Sequence, residues 1–204
     1  MPGQFIVFEG LDGAGTTTQV GRLASWLRAR GVDVEVTKEP STGPIGAVLR
    51  QAIEGRVTLD PAAIALAFAA DRADHLYNPV NGVVRSLDTG RWVVSDRYVL
   101  SSLAYQDDGT TSGRWLREIN ARALEPELTI YVDTPVEVCA ARLSARSSNA
   151  ELFDASLART AAAYERLLAD LTSPLVRIDG SASVDDVATA IATEVGRWMG
   201  GLEG

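Results

Sequence analysis

The segment Gly10–Thr17 has the residue types and the spacing of a phosphate-binding loop. It has the sequence GLDGAGTT, which fits the pattern G-x-x-x-x-G-K-[ST] except at the lysine, where Thr16 stands. Glycines allow the tight turn that aims several backbone N–H groups at phosphate oxygens. A hydroxyl such as that of Thr17 can ligate Mg²⁺. The segment predicts a site for a polyphosphate with its metal ion; the alternative is a glycine-rich turn without a function.

Thr16 is the departure with the largest chemical consequence. The usual lysine neutralises charge between the β- and γ-phosphates, whereas threonine donates only a neutral hydrogen bond. A charge-assisted contact is roughly twice as strong as a neutral one. Either an arginine supplies the charge from elsewhere in the chain, or catalysis is slow or absent. Lys38 is the only lysine, and the other eighteen of the nineteen lysine and arginine residues are arginine.

The loop lies between a predicted strand and a predicted helix, where a phosphate loop must lie. Phe5–Glu9 is a short apolar run typical of a buried strand. Val20, Leu23, Ala24 and Leu27 then repeat at the spacing of one helical face. This arrangement favours phosphate binding over a turn without a function.

Further strand-like runs alternate with helical patterns along the rest of the chain. The runs are Val32–Thr37, Trp92–Val94, Leu128–Val132 and Leu175–Ile178. Pro61 has the first position of a long apolar helix, a position that suits proline. Strands that alternate with helices predict right-handed crossovers and a parallel sheet with helices on both faces. We predict an α/β fold and a single domain over residues 1–204.

Several segments, taken in order, resemble the thymidylate kinase family of P-loop nucleoside monophosphate kinases over nearly the whole chain. The segments are Phe8–Gly15, Glu39–Arg50, Phe68–His75, Asp96–Tyr98, Ser101–Gln106 and Asp179–Ser181. The resemblance implies the P-loop kinase fold, with a five-stranded parallel sheet flanked by helices. It also implies transfer of the γ-phosphoryl group of ATP to dTMP, with Mg²⁺, and a homodimer.

The resemblance assigns an acceptor site. Phe68 would stack on thymine, and Arg72 would reach the thymine edge or the monophosphate. Arg97 and Arg50 would hold the acceptor phosphate, and Asp12 would meet the sugar 3′-hydroxyl. The other substrate-binding residues that it implies are Glu39, Ser101, Tyr105 and Gln106.

Each of these residues also has a structural alternative. Phe68, in an alanine-rich helix, could belong to the core. Arg72 could form a surface ion pair with Asp71 or Asp74. Arg50 could lie on a solvated helix face, Arg97 could be a surface arginine at a strand end, and Ser101 and Tyr105 could be ordinary loop packing.

The resemblance assigns the donor site to the loop itself. ATP would contact Gly10, Leu11, Asp12, Gly13, Ala14, Gly15, Thr16, Thr17 and Thr18. Thr17 and Asp96 would hold Mg²⁺, although Asp96 could also be a turn residue. A lid is expected at about residues 144–154, where Leu152 replaces an arginine of family lids. Of the remaining arginines, Arg146 is the first candidate for transition-state charge and Arg142 the second; either could be merely solvated.

Composition narrows the function classes. The net charge of −8 argues against broad nucleic-acid or anionic-membrane binding. No apolar run approaches the ~18 residues of a membrane span, and the single cysteine excludes an intramolecular disulfide. A cytoplasmic enzyme is therefore expected. Two alternatives stay open: a kinase for another nucleoside monophosphate, including a modified one, and a non-catalytic nucleotide-binding protein derived from the kinase.

Overall fold

A computed structural model describes residues 3–107, 111–145 and 151–202, and the side chains of residues 151–155 lie outside that description. Five strands form one sheet in the order β2-β3-β1-β4-β5, and every neighbouring pair is parallel. The strands are β1 (Phe5–Gly10), β2 (Val34–Lys38), β3 (Trp92–Asp96), β4 (Leu128–Asp133) and β5 (Leu175–Asp179). The predicted five-stranded parallel sheet is confirmed.

Helices connect the strands and cover both faces of the sheet. In the described residues they are α1 (Thr16–Arg28), α2 (Pro44–Ile53), α3 (Pro61–Tyr77), α4 (Val83–Asp88), α5 (Val99–Gln106), α6 (Gly113–Ile119), α7 (Val136–Ser144), α8 (Glu151–Ala169) and α9 (Val184–Leu202). Pro61 is the first residue of α3, as predicted, and Asp60 caps that helix by accepting from the Ala62 amide at 2.9 Å.

Alternation along the strands divides the core between the two faces. Ile6 and Phe8 of β1 pack with Leu23 and Leu27 of α1 in the larger cluster. Phe5 and Val7, one residue out of phase, pack in a second cluster that includes Leu76 of α3 and Val83 of α4. Successive side chains of a strand point to opposite faces of a sheet. Helix α1 therefore lies on one face, and α3 and α4 lie on the other.

Two details differ from the sequence-based expectation. Strand β2 begins at Val34 rather than Val32, because the chain first reverses after α1 through Gly31, whose φ is 81°. Ser101 and Tyr105 lie in helix α5, so the interpretation of these residues as loop packing is wrong. No helix in the described part of the chain is both long and apolar enough to cross a membrane.

Candidate functional site

The glycine-rich loop joins β1 to α1 in a conformation that requires glycine. Gly13 and Gly15 have φ values of 85° and 99°, which side chains strongly disfavour. A Cβ atom on Gly13 would lie 2.7 Å from the carbonyl oxygen of Cys139, and one on Gly10 would lie 2.9 Å from that of Val132. Gly15 caps α1 without a side-chain hydrogen bond. The first amide groups of the helix therefore face outward, as an anion site at a helix N-terminus requires.

Three other residues of the predicted donor site differ in exposure. Leu11 and Thr16 are buried, so Thr16 extends no long side chain toward a nucleotide. Thr18 is exposed and lines an open groove between α1 and α9. Backbone amides rather than these side chains are what the loop can offer to phosphate.

Thr17 and Asp96 meet at the metal position that the sequence predicts. The Thr17 hydroxyl donates a short hydrogen bond to Oδ2 of Asp96, at the end of β3. The other oxygen, Oδ1, is buried and has no hydrogen-bond partner in the described part of the chain. A buried carboxylate oxygen without a partner is costly unless something binds it. The pair of side chains fits a divalent cation such as Mg²⁺, which prefers oxygen ligands.

Arg97 connects the phosphate loop to helix α5. Its φ of 75° is the only positive value at a residue other than glycine in the described ranges. The Nη1 atom donates to the carbonyl oxygen of Gly10, and Nη2 lies 2.7 Å from Oδ1 of Asp12. The Asp12 amide in turn donates to the Tyr105 hydroxyl at 2.9 Å. Strained backbone at such a junction is typical of functional sites, and the interpretation of Arg97 as an ordinary surface arginine does not fit these contacts.

Two residues that the sequence reasoning did not assign support this arrangement. Glu9 is fully buried and accepts hydrogen bonds from the Ser101 amide at 3.2 Å and from the Tyr164 hydroxyl at 3.0 Å. The Ser101 hydroxyl also donates to Glu9, over a short distance. Tyr164 belongs to α8 and lies 155 positions along the chain from Glu9, so no local pattern indicates this polar contact. These contacts fix Ser101 and join α8 to the end of β1.

Burial and neighbouring charges shift the pKa values of Glu9, Tyr105 and Arg97. It raises the pKa of Glu9, although the hydrogen bonds from Ser101 and the charge of Arg97 partly oppose the effect. Burial also raises the pKa of Tyr105 to about 12, so its phenol stays protonated at neutral pH. Burial would lower the pKa of Arg97, but the neighbouring Tyr105, Tyr164, Asp12 and Glu9 together raise it. Arg97 is therefore a permanent cation.

A cavity of about 360 Å³ lies beside the loop and collects most of the predicted acceptor residues. The lining residues are Asp12, Glu39, Pro40, Ile53, Ile64, Phe68, Arg72, Arg97, Tyr98, Ser101, Ser102, Tyr105 and Gln106. Its volume falls in the range of small-molecule sites. Phe68 is half-buried there, and Oε1 of Gln106 is buried without a hydrogen-bond partner in the described residues. The cavity thus has aromatic side chains, cations and the side-chain amide of Gln106 in its wall.

Arg72 is held in place by buried groups rather than by the surface carboxylates that the alternative named. Its guanidinium forms a 2.6 Å ion pair with Glu39, and both side chains are 2% exposed. It also donates to the Ser102 hydroxyl at 2.9 Å and to the Asn120 side chain. The predicted surface pair with Asp71 or Asp74 is wrong, because Asp71 instead accepts from Ser41. Ser102 and Asn120 were missed, since neither has a distinctive sequence pattern.

Arg50 lies in the last turn of α2, outside the set of residues that line the cavity. Its Nη1 donates to the carbonyl oxygen of Ser41, over a short distance. The side chain is partly buried, so the alternative of a solvated helix face does not describe it. His75 forms hydrogen bonds with Thr37 at 2.6 Å and Glu39 at 3.3 Å, which fits a structural role.

Of the two arginines that are candidates for transition-state charge, Arg142 and Arg146, the structure describes only Arg142. The Nη1 atom of Arg142 donates to the carbonyl oxygens of Gly13 and Ala14, each at 3.2 Å, and Nη2 donates to Gly180 at 3.0 Å. Arg142 thus joins the phosphate loop to the loop after β5, a position that favours a positioning role over transition-state charge. Arg146 lies outside the described residues. So do residues 146–150 of the expected lid, whereas Ser144 ends α7 and the backbone of residues 151–154 begins α8.

Comparison with known proteins points to one family. A family model described as thymidylate kinase matches residues 8–191. A protein named probable thymidylate kinase from Pyrococcus abyssi is 37% identical over 209 residues, which cover 99% of this chain and all of the relative. A thymidylate kinase from Alkalilimnicola ehrlichii is 33% identical over 98% of each chain. A putative thymidylate kinase from Treponema pallidum is 42% identical over 74% of this chain and 71% of its own.

Proposed function

The chain belongs to the thymidylate kinase family, and we propose that it transfers the γ-phosphoryl group of ATP to the 5′-phosphate of dTMP. The products are ADP and dTDP. An oxygen of the acceptor phosphate forms the new bond to the γ-phosphorus, and the bond to the β–γ bridging oxygen breaks. The acceptor is already an anion at neutral pH, so no side chain has to remove a proton. Catalysis then rests on positioning and charge.

The acceptor cavity is the observation that carries the proposal. Phe68 provides an aromatic wall on which a nucleobase can stack, an interaction worth about 1–3 kcal/mol. Oε1 of Gln106 is a buried acceptor without a hydrogen-bond partner in the described part of the chain, and it would suit the N3–H donor of thymine. Arg97 provides a cation for the acceptor phosphate beside the phosphate loop. Asp12, in the loop itself, would meet the sugar hydroxyl.

The donor would bind along the loop and the N-terminus of α1. Backbone amides from Gly10 to Thr18 would surround the β-phosphate, and the helix dipole would add favourable potential. Thr17 and Asp96 would hold Mg²⁺. When bound, this ion neutralises charge on the phosphate oxygens. Arg142 would hold the phosphate loop against Gly180 in the loop after β5.

The test is a coupled assay of ADP release with ATP, Mg²⁺ and dTMP. We expect dTMP-dependent turnover in the unchanged protein. Asp96→Asn should lower kcat more than it weakens ATP binding, because the loop amides remain while the metal loses a ligand. The matched control is Asp33→Asn. Asp33 is an exposed carboxylate just before β2, at the end of the sheet opposite to Asp96, so this substitution should leave kcat unchanged. Absence of dTMP-dependent ADP release would overturn the proposal.

We further propose a cytoplasmic homodimer, as the resemblance implies. Apolar side chains on α2 and α3 that are exposed in one subunit support the dimer: Val48 is 47% exposed and Leu66 is 50% exposed. The lone cysteine, Cys139, is free and forms no disulfide, which fits a compartment that keeps thiols reduced. Light scattering of the purified chain and of Leu66→Glu tests the dimer.

A further inference from the structure

The phosphate loop lacks the cation that phosphoryl transfer requires. Thr16 is buried and neutral. The two described arginines that contact the loop have other roles: Arg97 would hold the acceptor phosphate, and Arg142 donates to carbonyl oxygens of both flanking loops. A charged donor that faces the transferring group is worth orders of magnitude in rate. Among the described residues, a cation for the γ-phosphate would therefore have to come from outside the loop.

Lys38 ends strand β2 directly beside the metal position. In the parallel pairing of β2 with β3, Lys38 is the register partner of Asp96, and Thr37 is the partner of Ser95. Neighbouring strands lie about 4.8 Å apart. Since Asp96 contacts Thr17 at the start of α1, the Cα atom of Lys38 is one strand away from a residue that touches the phosphate loop.

The side chain of Lys38 belongs to the same face of the sheet as the loop. Thr37 bonds His75 of α3, so its side chain is on the α3 face. Val34 packs in the cluster that contains Leu27 of α1, and alternation puts residue 38 on that same α1 face. Asp96 is on this face too, because it accepts from Thr17. Lys38 and Asp96 are thus neighbours on the face where the nucleotide phosphates would lie.

The ammonium group of Lys38 is also available for a ligand. Its side chain is exposed, and none of the ion pairs within the described ranges involves it. A lysine has a flexible four-carbon stem and a compact ammonium group, whereas arginine has a planar fork. The stem is long enough to cross one strand spacing. The chain uses lysine at this position alone, and arginine everywhere else that it uses either residue.

We propose that Lys38 supplies the positive charge that Thr16 lacks, by contacting the γ-phosphoryl group of ATP from the β2 side. The positive charge would then come from the end of β2, two strands away from β1, instead of from the first turn of α1. The inference rests on the proposed kinase function for its role in turnover. Its contact with the γ-phosphoryl group can be tested without turnover.

Nucleotide binding provides the first test. Dissociation constants of Mg·ATP and Mg·ADP are measured for the unchanged protein, Lys38→Met, Lys38→Arg and the remote charge control Arg56→Met. One charge-assisted contact is worth about 1.5–3 kcal/mol, or at least about tenfold in affinity. Lys38→Met should weaken ATP binding by about that factor and leave ADP binding within about twofold, as in the control. Equal effects on ATP and ADP, or no effect on either, would overturn the proposal.

Turnover provides the second test, and it separates this inference from the proposed function. If the unchanged protein shows no dTMP-dependent ADP release, the kinase proposal fails and the binding contrast still decides the role of Lys38. If it is active, Lys38→Met should lower kcat/KM by about 10²-fold or more. Adding Thr16→Lys to Lys38→Met should restore at least about tenfold, because a lysine in the loop reaches the same phosphate. Loss without rescue, or no loss, contradicts the inference.

Discussion

Arg97 and Asp12 form an ion pair with a 2.7 Å contact between Nη2 and Oδ1 at the edge of the acceptor cavity. The pair joins β3 to the phosphate loop, and Arg97 adopts a left-handed backbone conformation, with φ of 75°, to make it. An acceptor phosphate would meet a cation that is already oriented. The carboxylate beside it is expected to turn to the sugar hydroxyl when the nucleotide binds.

Two substitutions of Arg97 should separate the effect of its charge on dTMP binding from the effect of its backbone conformation on stability. Arg97→Ala and Arg97→Gly should both raise the KM for dTMP, by about tenfold or more, because a charged hydrogen bond is lost. The free energy of unfolding of Arg97→Gly should be about 1 kcal/mol higher than that of Arg97→Ala, because glycine tolerates the positive φ. Steady-state kinetics and urea unfolding check the two parts. An unchanged KM in both variants would return Arg97 to a structural role.

Phe68 should contribute to dTMP affinity through its aromatic face. Phe68→Ala should weaken dTMP binding by about 1–3 kcal/mol, measured by calorimetry. Phe68→Leu retains most of the apolar volume but removes the aromatic face, so it should lose a similar amount while its thermal midpoint stays close to that of the unchanged protein. Equal dTMP affinity in all three proteins would assign Phe68 to the core.

The buried pair of Arg72 and Glu39 should affect stability as well as recognition. Arg72→Leu leaves Glu39 buried without its main partner and should cost about 3–5 kcal/mol of unfolding free energy. Removing both charges, in Arg72→Leu with Glu39→Leu, should cost less than the sum of the two single changes. Urea unfolding of the four proteins checks this. Simple additivity would mean that the two side chains do not interact in solution.

Glu9 should make stability depend on pH. Burial raises its pKa above the ordinary 4.5, so the folded protein holds the proton more tightly than the unfolded chain does. The stabilisation from protonated Glu9 is complete below pH 4.5 and is lost as the pH rises through the raised pKa. The unfolding free energy of the unchanged protein, measured relative to that of Glu9→Gln, should therefore fall over this range. A difference that does not change with pH would contradict the assignment.

The sheet could be predicted from the sequence because its strands are short apolar runs. Phe5–Gly10 and Leu128–Asp133 are covered by helices on both faces, and such strands show in the sequence without any partner information. The short helices α4 and α6, with six and seven residues, have too few turns for a clear periodicity. Their positions depend on contacts with the rest of the fold.

The candidate site was predictable where backbone demands left a pattern. Gly13 and Gly15 need positive φ, and this need is visible as a glycine spacing. The contacts of Tyr164 with Glu9, and of Asn120 with Arg72, join residues 155 and 48 positions apart. No local pattern encodes such pairs. The same holds for Lys38, whose closeness to the phosphate loop comes from strand register and not from sequence distance.

The measurement that tests the account most directly is kcat/KM for dTMP, dCMP and AMP with the same donor. Thymine would present an N3–H donor to the side-chain amide oxygen of Gln106, which lines the cavity, whereas cytosine presents an acceptor at N3, and two buried acceptors that face each other are costly. We predict the highest kcat/KM with dTMP and a lower value with dCMP and with AMP. An equal or higher kcat/KM with AMP or dCMP would contradict the assignment of the acceptor.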